Sequence, residues 1–284
     1  MLRMPTVRRI DVGELQLQCT VWNEQGTSLV VLVHGFPECG ATWSAVASRL
    51  ADAGYCVVAP DLRGYGGSDR PKDVDDYGVE HLAADVAGLV RAMRAQRACI
   101  VGHDWGAPIT WWTAMLHPEV VEKLAILNGP HPVGYERAMR TWEQLKRGFY
   151  VYVFQVPFIP ELILSVRDFA RVRRLFSADG VPEAEVEKCL DALRPEGAVS
   201  AALAYYRATF RANIAGRGPK PRKVDAPTLV VWGEEDHYLV PSLAEPPADW
   251  VSNARVVRLP GVNHWVQIEA ADAVARELVA HFKS

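Results

Sequence analysis

Five consecutive residues, Gly102-His103-Asp104-Trp105-Gly106, carry the strongest chemical signal in the chain. They follow a short apolar run at 98–101 and precede a helical stretch at 105–116. Glycines two before and two after the central residue permit a sharp strand-to-helix turn, which lifts the middle side chain above a sheet. In that nucleophile-elbow pattern the middle residue is ordinarily serine; here it is Asp104. The exchange changes the chemistry. A serine hydroxyl needs a base before it can attack, whereas a carboxylate is ionised at neutral pH and is favoured by the N-terminus of the helix that follows. Carboxylates attack electrophilic saturated carbon and form an ester. Asp104 therefore points to alkyl transfer onto the protein rather than acyl transfer. The plainer alternative, an N-cap aspartate, leaves the two flanking glycines unexplained.

Such an ester must be hydrolysed, and the sequence offers the groups to do it. His264 sits in the loop Gly261-Val262-Asn263-His264-Trp265, and Asp236 follows the apolar run TLVVW in Gly233-Glu234-Glu235-Asp236. Nucleophile, acid and histidine thus run in the order 104, 236, 264, each just past the end of a strand. His237 is the rival base because it adjoins Asp236, although neighbouring side chains rarely face each other; His34 and His103 flank the site and read as structural. His34-Gly35-Phe36-Pro37-Glu38 follows the first apolar run. Pro37 restricts Phe36 to extended backbone and admits a cis peptide bond. That turn can present the Phe36 N–H toward the elbow, where with the Trp105 N–H it would form an oxyanion hole. The loop at 61–71, Asp61-Leu62-Arg63-Gly64-Tyr65-Gly66-Gly67-Ser68 and onward, lacks the third glycine of a dinucleotide fingerprint and reads as structural.

The elements that must position these groups alternate in two blocks. The first holds a hairpin at 7–12 and 16–22, then strands at 28–33, 56–59, 98–101 and 121–127, with helices at 42–53, 79–94 and 105–116 between them. Short continuous apolar runs such as LVVLV suit strands buried on both faces. The helix at 79–94 places Leu82, Val86, Leu89, Val90 and Met93 on one side, which is helical spacing. The rhythm then stops at 130–221, a helical, aromatic and proline-punctuated stretch. It resumes with strands at 228–232 and 255–259 and helices at 241–250 and 266–282. This predicts an α/β class fold, a mostly parallel sheet with helices on both faces. The core comprises 1–129 and 222–284, and the helical insert, 130–221, lies over the carboxyl edge of the sheet, where open α/β sheets bind ligands.

Composition agrees. The chain has 284 residues, 49% hydrophobic and 23% charged, with a net charge of -3. That is an ordinary globular composition, without the basic footprint of a nucleic-acid binder. Five scattered cysteines without a C-x-x-C pair suit reduced thiols. Residues 1–11 contain arginines but no apolar core of a signal peptide, and no apolar stretch is long enough to span a bilayer. The expected location is cytoplasmic, with no obligatory membrane contact. The sequence admits a homodimer.

Taken together, HGFPE, DLRGYGGSDRP, GHDWGAPITWW, WGEEDHYLVP and GVNHWVQIEAADAV resemble an α/β-hydrolase-fold epoxide hydrolase over about residues 8 to 284. The order nucleophile, acid, histidine also matches the α/β-hydrolase order. The resemblance implies that the insert is a cap domain carrying two tyrosines that grip an epoxide oxygen. Ala204-Tyr205-Tyr206-Arg207 resembles one of the family's tyrosine segments and places that tyrosine at Tyr206; the stretch from Gly148 to Pro157 resembles the other and places it at Tyr150. Tyr205 and Tyr152 are the nearest competitors. The implied reaction adds water to a small apolar epoxide through an Asp104 ester, with no metal and no cofactor. Trp142, Phe149, Tyr150, Phe154, Phe158, Leu162 and Phe176 are available to line an apolar pocket, and the run 171–174 reads as a solvated helix face.

Two other readings remain at this point. Haloalkane or haloacid dehalogenases use the same ester chemistry, but haloalkane enzymes usually resemble this chain with Asn where Phe36 stands, and fluoroacetate-type enzymes place Arg where Trp105 stands. A non-catalytic binding protein of the same fold usually lacks a member of the triad, and none is lacking here.

Overall fold

Alternate residues of the central strands point to opposite sides of one sheet, and both sides are covered. In β3 (Leu29–Val33), Val31 and Val33 enter one apolar layer while Val30 and Leu32 enter the other, as the two-residue period of a strand requires. β4 (Cys56–Pro60), β5 (Ala98–His103) and β7 (Thr228–Gly233) are likewise buried throughout. The computed structural model describes residues 4–284. Residues 1–3, which belong to the segment read for a signal peptide and to the first core segment, lie outside the described residues.

With β1 (Thr6–Asp11), β2 (Gln16–Trp22), β6 (Val121–Leu127) and β8 (Ala254–Leu259), these strands form an eight-stranded sheet in the order β1-β2-β4-β3-β5-β6-β7-β8. β2 pairs antiparallel with β1 and with β4, and every other pairing is parallel. The fold is therefore α/β, a mostly parallel sheet, as predicted. α1 (Ser44–Asp52) and α11 (Ala271–Lys283) meet on one face, and α2 (Val79–Ala92) and α3 (Gly106–Leu116) on the other. In α11, Val274, Ala275, Leu278 and Phe282 form the buried stripe.

Between β6 and β7 come α4 (Pro132–Ala138), α5 (Trp142–Arg147), α6 (Tyr150–Val153), α7 (Ile159–Ala178), α8 (Glu183–Leu193) and α9 (Ala198–Ala215). α7 is two helical pieces across a kink at Val166 to Phe169, where three successive residues take positive φ. Two predicted elements differ. The stretch 241–250 holds one helical turn, Pro241–Ala244, and a separate non-helical turn at 248–250, since Pro246 and Pro247 withhold the N–H groups that a longer helix would need. The closing helix is broken at Ala270 (φ -120°, ψ 36°) into α10 (Val266–Glu269) and α11. Among the described residues no helix is long and apolar enough to cross a membrane.

Candidate active site

The turn between β5 and α3 supplies the centre of the site. Asp104 has φ +48°, a left-handed conformation that costs a non-glycine residue roughly 1–3 kcal/mol and is held where the surroundings enforce it. The glycine two positions on is dictated by contact: a Cβ at Gly106 would stand 2.0 Å from the Val33 carbonyl oxygen. Gly35 is as tightly constrained, because its Cβ would meet Asp104 Cβ at 2.4 Å. The turn after β3 can thus lie directly against the carboxylate. There the Phe36–Pro37 peptide is cis, and the Phe36 N–H donates to Asp104 Oδ1 at 2.7 Å. The Trp105 N–H makes no hydrogen bond to that carboxylate among the described residues.

The other carboxylate oxygen faces the histidine. His264 Nε2 lies 3.4 Å from Asp104 Oδ2, and His264 Nδ1 lies 2.7 Å from Asp236 Oδ2. Asp236 is buried and fully bonded: its Oδ1 accepts the N–H groups of Tyr238 at 2.7 Å and Leu239 at 2.9 Å, and its Oδ2 also accepts from Asn128 at 2.7 Å. An imidazole between two carboxylates should hold a proton firmly. Burial opposes this, but Asp236 first and then Asp104 outweigh it and push His264 up to about 10. The carboxyls move the opposite way. Burial favours their neutral forms, yet the bond to His264 brings Asp104 below the ordinary value, and the charge of His264 does the same for Asp236.

Above the carboxylate sits an aromatic cluster. The Tyr206 ring lies 4.9 Å from Trp105, 5.4 Å from Phe36 and 6.1 Å from Tyr150, each nearly perpendicular. Burial, and then the charges and phenols around them, raise the Tyr150 and Tyr206 hydroxyls well above their usual range. Both are therefore neutral donors at physiological pH. Their competitors face elsewhere. Tyr152 is 41% exposed and packs on Phe210, and the Tyr205 hydroxyl donates to the Arg63 carbonyl at 2.7 Å. Of the apolar residues expected to line a pocket, Phe154 joins this cluster, whereas Trp142, Phe149, Phe158 and Leu162 are exposed and Phe176 packs against Trp265.

The rival histidines are accounted for. His237 is 70% exposed and turned toward Asp179. His34 takes the Leu62 N–H at 3.0 Å and contacts the Gly35 carbonyl at 2.8 Å. His103 bridges the Glu38 carboxylate at 2.8 Å and the His264 carbonyl at 2.9 Å. The 61–71 loop is held by buried Arg63, which forks onto both oxygens of Asp85 at 2.6 Å. Around Arg173 the 171–174 face carries a surface ion network with Asp168 and Glu183.

Sequence reasoning missed Asn128, Glu38 and Tyr135. Asn128 fastens the end of β6 to β7 through Gly233 and to Asp236. Glu38 also accepts the Gly35 N–H at 2.7 Å. Burial and the charge of Asp104 push Tyr135 up to about 12. Among the described residues no group of three or more His, Cys, Asp or Glu side chains is arranged to hold a metal ion. The assembly can present an ionised carboxylate, two phenolic donors and a charged imidazole to one small volume.

Known proteins resemble this chain in sequence and in fold. The sequence profile of the alpha/beta hydrolase fold family matches residues 28–271. The AB hydrolase superfamily protein YfhM of Bacillus subtilis is 30% identical over 280 residues, 97% of either chain. Epoxide hydrolase 3 of Xenopus tropicalis is 35% identical over 273 residues, covering 92% of this chain and 72% of that one. A Bacillus megaterium epoxide hydrolase superposes with a TM-score of 0.88 at 26% identity, covering 98% of this chain and all of the other. The chain belongs to the α/β hydrolase fold family and, within it, to the epoxide hydrolases.

Proposed function

We propose that the protein hydrolyses small apolar epoxides to vicinal diols through a covalent ester on Asp104, with His264 and Asp236 completing a catalytic triad. One arrangement carries this reading: a carboxylate stands at the elbow, with the Phe36 N–H on one oxygen and His264 near the other. Held at Oδ1, Asp104 attacks a ring carbon through Oδ2. The carbon–oxygen bond of the ring breaks, and its electron pair leaves on oxygen, which takes a proton from Tyr150 or Tyr206. Such general acid help is worth ~100–10,000-fold.

Esterification removes the Asp104 charge, one of the causes that raise His264. The imidazolium then surrenders its proton, which ends on the phenolate. Neutral His264, oriented by Asp236, takes a proton from water, and hydroxide adds to the Asp104 carbonyl carbon. Oδ1 becomes the oxyanion, held by the Phe36 N–H that already bonds it and by the Trp105 N–H, which engages only as the carbon becomes tetrahedral; one such donor is worth about 3–4 kcal/mol. The Cγ–Oδ2 bond breaks, the diol leaves with Oδ2 and the His264 proton, and the new carboxyl proton returns to His264.

The two phenols favour an epoxide over a haloalkane, since an alkoxide needs a proton and a halide does not. An intact triad weighs against a merely binding protein. The helices within 130–221 serve in this reading as a cap over the carboxyl ends of the strands. Five free cysteines fit a reducing compartment, which we take to be the cytoplasm. The test is a panel of styrene oxide, cyclohexene oxide and an epoxy fatty acid, assayed for diol beside matched haloalkanes assayed for halide. Diol without halide supports the proposal; halide alone contradicts it.

A further inference from the structure

Asp179 stands where a carboxylate is costly. It caps the C-terminus of α7, the negative end of the helix dipole. Its side chain is only 5% exposed, and no lysine or arginine pairs with it among the described residues. What holds it there is a set of donors from the loops that carry the acid and the base. Asp179 Oδ2 accepts from Tyr238 Oη at 2.8 Å and from Trp265 Nε1 at 2.9 Å. Oδ1 lies 3.3 Å from His237 Nδ1, and the Asp179 carbonyl accepts from Asn263 Nδ2 at 2.6 Å. Burial and then Asp179 itself raise the Tyr238 phenol far above its usual range, so it remains a donor.

The two aromatic donors flank the base. The Tyr238 and Trp265 rings each lie 4.9 Å from the His264 ring, edge to face. Gln144 and Arg147 of α5 also reach the acid loop, through Tyr238, Asp236 and Leu239 carbonyls, but neither makes a hydrogen bond to the base loop among the described residues. A third ring, His103, also lies 4.9 Å from the imidazole, and one carboxylate thus fastens the other two of its three ring neighbours to the insert. We propose that Asp179 is a positioning residue that couples α7 to the His264 imidazole and so governs hydrolysis of the ester rather than its formation. Ring opening needs the Asp104 carboxylate and the phenols, whereas ester hydrolysis needs an imidazole aimed at water, and misplacement by about 1 Å costs ~100-fold.

The inference rests on the two-step reading above, and one experiment separates their failures. Full-length wild type, Asp179→Ala, Asp179→Asn, Trp265→Phe and His264→Gln are mixed with excess styrene oxide, acid-quenched at intervals and weighed by mass spectrometry. The expected result for Asp179→Ala is ester hydrolysis slowed ~10–100-fold, as for loss of a group that orients a ligand, with ester accumulating and ring opening near wild type. Asp179→Asn keeps an oxygen for both donors and restores most of the hydrolysis rate. Trp265→Phe keeps an aromatic side chain, in place of the larger indole, loses the donor and falls between; it also supplies the answer if Asp179→Ala does not fold. Equal slowing of both steps, or a lower melting temperature with the balance of steps unchanged, overturns the role of Asp179 alone. No adduct on His264→Gln, while wild type turns over, overturns the two-step reading and this inference with it.

Discussion

His264 Nε2 stands 3.4 Å from Asp104 Oδ2. That separation puts the base beside the carboxylate whose ester it must later clear, and it ties the charge of one to the proton of the other.

Replacing His264 with Gln should therefore separate the steps. We expect Asp104 still to open the epoxide, turnover to fall by at least ~100–10,000-fold, and the protein to gain the mass of one substrate. Intact-protein mass spectrometry after a brief exposure reads this directly.

The phenols give a second expectation. Tyr150→Phe and Tyr206→Phe should each slow ring opening, and the double variant should lose the full general acid help of ~100–10,000-fold. Tyr152→Phe, altering an exposed ring, should leave the rate unchanged. Tyr205→Phe should cost about 1 kcal/mol of stability by losing its bond to the Arg63 carbonyl. Single-turnover rates and urea unfolding separate the cases.

Stability should depend on pH through the same ionic cluster. His264 is raised in the folded protein from 6.5 to about 10, so its contribution is fully present below pH 6.5 and fades as pH rises through about 10. Asp104 and Asp236 are lowered, so theirs is present above the ordinary value of 3.8 and fades in stronger acid. The melting-temperature difference between wild type and His264→Gln should be widest near pH 6 and shrink toward pH 10. A gap that grows with alkali contradicts the assignment.

The elbow itself is testable. A Cβ at Gly106 has the Val33 carbonyl in its way, and Gly106→Ala should cost about 1–3 kcal/mol, as overpacking does. Thermal unfolding measures it.

Much of this arrangement is legible in the sequence alone. LVVLV and TLVVW read as buried strands because they are short, unbroken apolar runs rich in β-branched residues, and the two glycines around Asp104 carry the steric demand of the turn in their identity. Strand order was not legible, since pairing β3 between β4 and β5 depends on contacts far apart in sequence. The stretch 241–250 has helical apolar spacing, but its prolines stop it after one turn. Tyr205 and Tyr206 are adjacent and chemically identical, and only packing shows which phenol is tied to Arg63. Asp179 left no local signal: a carboxylate after a helix reads as solvated until two distant aromatics are seen to bond it.

The most direct test of the account is a single turnover in water enriched in heavy oxygen, followed by mass analysis of the peptide containing Asp104. The account predicts one solvent oxygen in the Asp104 carboxylate and an unlabelled first diol. A labelled diol with an unlabelled Asp104 would mean that water attacks the epoxide directly, and the covalent scheme would fall.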